Sequence, residues 1–382
     1  MRSRSADEEH RTSTALELFF DLCFVVAVAQ AAGAFEHEVV IDRIGHGVVG
    51  YATVFFAIWW AWMNFTWFAS AYDTDDVFYR LLTLVQITGA LTLAAGVTKA
   101  LEDSDFTVIT LGYVIMRLAM VAQWLRAAYS DPDRRRCCLR YAAGILTVQA
   151  GWVGRLALAH EGGPAAFCVL AALELAVPLW AEQPAHTVWH PRHIAERFGL
   201  FTLIVLGETV TASTVAVRTA LDTDASFGSI APLAIGGILT VYAMWWLYFT
   251  YDVPVQLTSL ATSLRWGYGH YIVFGSAAAV GTGLAVNIEH IGGHTHIGPT
   301  TAAATYTVPV ALYAAVLRVL SHKADPSRTL DVLWTVAVLG ILGATFAPGP
   351  VLVTGLIAAA LVAAMLTTVA RERGRPDGRP HR

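Results

Sequence analysis

The residues of this chain whose types and spacing could do chemistry are acids and bases inside long apolar runs. Asp21 lies ten residues beyond Arg11, and Glu208 eleven beyond Arg197. At ~1.5 Å of helical rise per residue, both carboxylates stand about 15–16 Å into their helices, near the middle of a ~30 Å hydrocarbon core. Glu174 stands about 14 Å into a sixth run and Arg117 about 16 Å into a fourth, with Gln149 equally deep in the fifth. A charged side chain facing lipid at that depth costs several kcal/mol, so each must face protein or water. Three carboxylates and one guanidinium at one depth therefore predict a single polar centre inside a bundle. Arg117 is the only base expected there, so surplus acid can hold a proton or a cation. Asp21, Glu208, Glu174, Arg117, Glu17 and Gln149 form this expected transport or proton site; no residue is assigned a catalytic role. The alternative is packing glue, in which the same groups only tie helices together.

Two further clusters carry titratable groups. His193, Glu196 and Arg197 are spaced i, i+3, i+4, on one face at the expected cytoplasmic mouth of helix 7. A His–Glu pair at that spacing can bind metal, but no second such pair completes a site, so an interfacial network is expected. On the opposite side, Asn287, Glu289, His290, His294 and His296 crowd a glycine-rich segment. They are weak metal or pH-sensing candidates against the reading of a solvated loop. The tryptophans of WWAWMNFTW (residues 59–67) read as interface belt and packing. There is no phosphate-binding glycine loop, no Gly-x-Ser-x-Gly and no zinc-protease motif, and no cofactor is expected.

The elements that must position these groups are membrane helices. The chain is 56% hydrophobic and 14% charged, with a mean hydropathy of +0.54, where a soluble protein carries roughly a quarter charged residues. A net charge of −4 gives no reason to expect nucleic acid as a partner. The first apolar run contains Glu17 and Asp21, unlike the uncharged core of a cleavable signal peptide, so it reads as a retained helix. The four cysteines, Cys23, Cys137, Cys138 and Cys168, show neither a disulfide framework nor zinc spacing. Windows long enough to span a bilayer fall at roughly 15–33, 47–69, 78–98, 106–126, 140–159, 165–181, 198–217, 229–250, 266–287, 301–318, 329–347 and 350–370. The last two windows also fit a re-entrant hairpin. Twenty of the 25 lysines and arginines fall on the side of the N-terminus, counting Arg197 in the 6–7 loop and Arg134–Arg136 in the 4–5 loop. That bias predicts both termini in the cytoplasm and an even number of spans.

A repeat of about 186 residues joins the halves: Trp59-Trp60 recurs as Trp245-Trp246, each followed by aspartate (Asp73, Asp252), and Arg80 and Arg140 find counterparts in Arg265 and Arg328. The expected fold is an all-α integral membrane protein of about twelve transmembrane helices in two parallel six-helix pseudo-repeats. Residues 15–181 and 198–370 form the repeats, joined by a cytoplasmic linker 182–197. An N-terminal tail 1–14 and a basic C-terminal tail 371–382 flank them.

LELFFDLCFVVAVAQ in helix 1, the Trp-Trp run ending in AYDTDD, and ERFGLFTLIVLGETV in helix 7 resemble the bacterial low temperature requirement protein A (LtrA) family. The resemblance spans about Arg11 to Val369 and falls on Glu17, Phe19, Phe20, Asp21, Trp60, Asp73, Asp75, Asp76, His193, Glu196, Arg197, Gly207 and Glu208. It implies a multi-pass membrane protein linked to growth in the cold and implies no substrate. The arginine ahead of Phe-Phe-Asp is also similar to the Phe-Ser-Asp signature of two-repeat potassium channels, with phenylalanine in place of serine and Leu-Gly-Glu in helix 7. The function expected is a proton-linked secondary transporter of the cell membrane, with Asp21 and Glu208 flanking the path. The alternatives are a cation channel, a membrane enzyme acting on lipid, and a membrane scaffold. The expected partners are the lipid bilayer and a small solute, proton or cation. Substrate and oligomeric state stay open.

Overall fold

The computed structural model describes residues 12–72, 74–157, 163–222, 227–251, 257, 259–322 and 326–373. Arg11, Asp73, Asp252, Lys323 and nearly all of both tails lie outside the described residues. Every regular element among those described is an α-helix. In chain order they are α1 (Ala15–Val40), α2 (Ile44–Tyr72), α3 (Val77–Glu102), α4 (Thr107–Ser130), α5 (Arg135–Arg155) and α6 (Gly163–Ala181). Then follow α7 (Pro191–Asp222), α8 (Phe227–Phe249), α9 (Leu260–Ile291), α10 (Pro299–Ser321), α11 (Arg328–Ala344) and α12 (Pro350–Arg373).

Ten of these helices are long and apolar enough to cross a membrane; α5 and α11 are not. Helix α5 carries Arg135, Arg136, Arg140 and Arg155 within its bounds, and α11 has only 17 residues, about 26 Å of rise against a ~30 Å core.

Local sequence explains the starts. Thr14 and Glu17 cap α1 reciprocally, Thr14 N–H donating to Glu17 Oε2 at 2.8 Å and Glu17 N–H to Thr14 Oγ1 at 3.2 Å, the capping box of a Thr-x-x-Glu segment. Asp76, Ser259 and Ser327 accept from the first turns of α3, α9 and α11. Helix α7 opens at Pro191, seven residues before the start expected from hydropathy, because proline suits the first helical position. His193, Glu196 and Arg197 are therefore helical, and Arg197 is not the loop charge that the topology count assumed.

The chain divides into two compact units, Met1–Glu38 with Arg43–Ile204, and Val39–Asp42 with Val205–Arg382. In the first unit α3 and α4 pack most closely. A Cβ on Gly112 would lie 2.5 Å from the Gly89 carbonyl oxygen, and one on Gly89 2.7 Å from the Gly112 carbonyl, so two bare backbones meet there. Gln86 donates to Gln123 at 2.9 Å across the same seam, and both are buried. Leu111, Leu118 and Leu125 stand exposed on α4, polar groups inward and leucines outward, as a helix among lipid requires. In the second unit α9 packs on α10 and α8 on α12, the latter through Gly236, whose Cβ would lie 2.6 Å from the Val351 carbonyl carbon.

Candidate functional site

The expected single polar centre is two centres, both in the first unit. Two i, i+4 pairs build the first: Glu17 and Asp21 on α1 face His193 and Arg197 on α7, and all four side chains are 0% exposed. Arg197 grips Asp21 bidentately, Nη2 to Oδ1 at 2.5 Å and Nε to Oδ2 at 3.0 Å, the strongest form of carboxylate recognition. Its Nη1 lies 3.1 Å from Glu17 Oε1, and His193 Nε2 lies 3.1 Å from that same oxygen. Trp62 Nε1 donates to Asp21 Oδ1 at 2.6 Å. The Phe65 ring lies 5.8 Å from the guanidinium carbon, and Phe20 stacks on Phe65 with centroids 4.0 Å apart. Glu196 accepts the Ser13 N–H at 3.2 Å, and the His193 N–H donates to His190 Nδ1 at 3.3 Å.

Charge arithmetic gives this cluster its chemistry. Two carboxylates against one guanidinium leave one net negative charge while His193 is neutral, and none once its ring takes a proton. A low-dielectric interior penalises an uncompensated charge by several kcal/mol, so the proton occupancy of the cluster decides its electrostatic cost.

The second centre is the Glu174 carboxylate on α6, which accepts from four donors on three other helices. Trp60 Nε1 donates at 2.7 Å from α2, Tyr113 OH at 2.9 Å and Arg117 Nη2 at 2.5 Å from α4, and Trp152 Nε1 at 3.2 Å from α5. Arg117 and Glu174 pair one to one, so this centre is already neutral. Arg117 keeps Nε and Nη1 buried without a hydrogen bond among the described residues, as are both amide atoms of Gln149.

Helix α2 separates the two centres. Trp60 and Trp62 are two residues apart, ~200° around a helix of 3.6 residues per turn, so one indole reaches Glu174 and the other Asp21. These indoles are hydrogen-bond donors to the buried acids as well as packing groups, which the belt reading of the tryptophan run missed. The visible signal was this spacing in a helix flanked by buried carboxylates.

The remaining expected residues lie elsewhere. Glu208 is half-buried in the part of α7 that belongs to the second unit, and it makes no hydrogen bond or ion pair among the described residues. Asp21 belongs to the first unit and Glu208 to the second. Arg117 is not the only fully buried guanidinium, because Arg197 is buried on Asp21. Asp75 pairs with Arg80 at 2.7 Å. Asp76 caps α3 through the Tyr79 N–H at 2.9 Å and pairs with Arg126. The Arg126 guanidinium beside it holds the Asp76 carboxyl well below the usual carboxylate range. Of the outer histidines, His294 lies 3.3 Å from Glu289, His290 bonds Thr295 at 3.0 Å, and His296 is exposed. Among the described residues no group of three or more His, Cys, Asp or Glu is arranged to hold a metal ion.

The family model described as "Bacterial low temperature requirement A protein (LtrA)" matches residues 12–370. An uncharacterized protein of Rhizobium meliloti (strain 1021) is 27% identical over 296 residues, covering 72% of this chain and 69% of that protein. No solved structure matches. The match begins just ahead of the α1 cap and takes in every residue of both buried centres: the chain belongs to the bacterial low temperature requirement A protein family.

Proposed function

We propose that this protein is a proton-linked secondary transporter in which the Glu17–His193–Arg197–Asp21 cluster holds the proton. One observation carries the reading: four fully buried groups, two acids, one guanidinium and one imidazole, reach neutrality by taking up one proton. A group that changes the charge balance between α1 and α7 is the kind of element a proton gradient can drive. Groups near His193 are Glu17 on α1, Glu196 and Arg197 on its own helix, and His190 just ahead of that helix, whose Nδ1 accepts the His193 N–H; Tyr79 acts on Arg197 from α3. The second centre serves as a neutral floor, with Glu174 and Arg117 compensating one another.

The same reading puts the protein in the cell membrane with both termini in the cytoplasm, supported by the basic bias of one side. It derives the repeats 15–181 and 198–370 from one duplication, supported by the 186-residue register of Trp59-Trp60 and Trp245-Trp246. It takes growth at low temperature, which the family's name suggests, as the cellular readout.

The test pairs rescue of growth in the cold with proton uptake into liposomes, on protein shown to be folded. His193→Gln, which cannot take up a proton, and Asp21→Asn, which balances the charges without one, are expected to lose proton uptake and rescue while remaining folded. Full proton uptake and full rescue in both variants would overturn the proposal.

A further inference from the structure

A cavity of about 30 Å³ lies in the first unit among α2, α4, α5 and α6, room for two or so waters at the ~10–15 Å³ each occupies on that measure. It runs from the ends of α4 and α5, at Phe106 and Arg155, inward to Tyr113 and Trp152. The walls are mostly aromatic and aliphatic, Phe56 and Phe167 among them, with Thr53 and Thr110 as their hydroxyl residues. Tyr113 and Trp152 meet edge to face at 6.2 Å, and both donate to Glu174 beneath.

One group in this wall is uncompensated. Arg155 lies with its guanidinium carbon 4.6 Å from the Phe106 ring centre and 5.8 Å from that of Phe167, and its Nε donates to the Gly163 carbonyl at 3.2 Å. It makes no ion pair among the described residues, and burial lines its stem with rings. A half-buried guanidinium fixed over two aromatic faces is pre-organised for a carboxylate, which it can hold through its two remaining nitrogens.

We infer that this cavity binds a small organic carboxylate of a few heavy atoms, its carboxylate on Arg155 and its short hydrocarbon part among the rings. The single guanidinium sets the charge at one. Both floor donors are already spent on Glu174, so nothing deeper offers a second anion site. The volume excludes an aromatic acid without rearrangement, and the mostly apolar walls, with only the Thr53 and Thr110 hydroxyls beside Arg155, favour a ligand with few further polar groups. Calling this ligand the transported substrate rests on the transporter reading; the binding itself does not. A bound carboxylate would press on Tyr113 and Trp152, and through them on Glu174 and Arg117, whose spare Nε and Nη1 mark that layer as adjustable.

The experiment is saturation-transfer NMR of propionate with the full chain in detergent, at fixed pH and without a gradient, so it reads binding apart from proton coupling. Propionate is expected to give a saturable signal at millimolar concentration, and the isosteric propionamide none. Arg155→Gln is expected to abolish the propionate signal, and Arg155→Lys to retain it with at least tenfold weaker affinity. Decanoate tests the other source of a carboxylate, a fatty acid from the bilayer. Equal signals from propionate and propionamide in the parent protein, an unchanged signal in Arg155→Gln, or saturable binding of decanoate without propionate would each overturn the inference. The amide comparison needs no variant, so a misfolded substitution does not protect the idea. Propionate binding alongside absent proton uptake would keep this site and reject the transporter; the reverse would do the opposite.

Discussion

Replacing Arg197 by methionine removes the only guanidinium from a fully buried cluster and leaves two carboxylates, Glu17 and Asp21, on one helix four residues apart. Both oxygens of Asp21 and one of Glu17 lose their charged partner, while the Trp62 indole bond to Asp21 remains. Breaking a buried pair by deleting one member costs about 3–5 kcal/mol, because the survivor stays desolvated and uncompensated. At roughly 2 °C per kcal/mol for a long chain, the expected fall in Tm is about 6–10 °C. The double variant Arg197→Met, Asp21→Asn removes one of the stranded charges. It should recover a large part of the loss, with a coupling of about 0.5–3 kcal/mol typical of residues in one network. The assay is thermal unfolding in one detergent, followed by tryptophan fluorescence, with monodispersity as the control for folding. If Arg197→Met shifts Tm by less than about 1 °C, or if the two substitutions simply add, the cluster does not hold α1 against α7 as described.

Two more predictions concern packing and pH. Gly112→Ala drives a Cβ into the Gly89 carbonyl 2.5 Å away and should cost about 1–3 kcal/mol or more, whereas Gly33→Ala at an exposed position of α1, with nothing within 4 Å, should be neutral or gain up to ~1 kcal/mol; thermal unfolding of the pair compares them directly. Asp76 has a carboxyl pKa lowered by Arg126, so its contribution to stability is fully present above the unfolded-state value of about 3.9 and is lost as pH falls below it; an Asp76→Asn protein should show a flatter Tm-versus-pH curve below about pH 4.

The charge ledger also separates variants that look alike in sequence. Asp21→Asn leaves Glu17 and Arg197 balanced with His193 neutral, so it should be tolerated structurally while removing the need for the proton. Arg197→Met does the reverse, increasing the excess charge. Both delete half of the same ion pair, yet Asp21→Asn should leave Tm nearly unchanged where Arg197→Met lowers it.

Hydropathy alone determined the helical class and the approximate place of every helix, because runs of about twenty apolar residues have few other ways to satisfy their backbone in lipid. It also marked Asp21, Glu174 and Arg117 as buried, since a charge at that depth must find protein or water. A hydropathy window starts helix α7 at residue 198, seven residues late, because the polar His193, Glu196 and Arg197 in its first turns lower the average. The Thr14-x-x-Glu17 cap was legible from its pattern but not read. What only the tertiary structure decided is partnership. Counting residues along the sequence puts Asp21, Glu174, Glu208 and Arg117 at one level, whereas the helix bounds set Asp21 about 9 Å into α1 and Glu208 about 26 Å into α7; the count also carries no azimuth and no neighbour. The rotation of α2 sends Trp60 to one acid and Trp62 to the other. The facing of α1 and α7 gives Asp21 its arginine and Glu17 its histidine, at distances of 2.5–3.1 Å. Pairing is a property of two helices at once, and a one-dimensional reading of each cannot contain it.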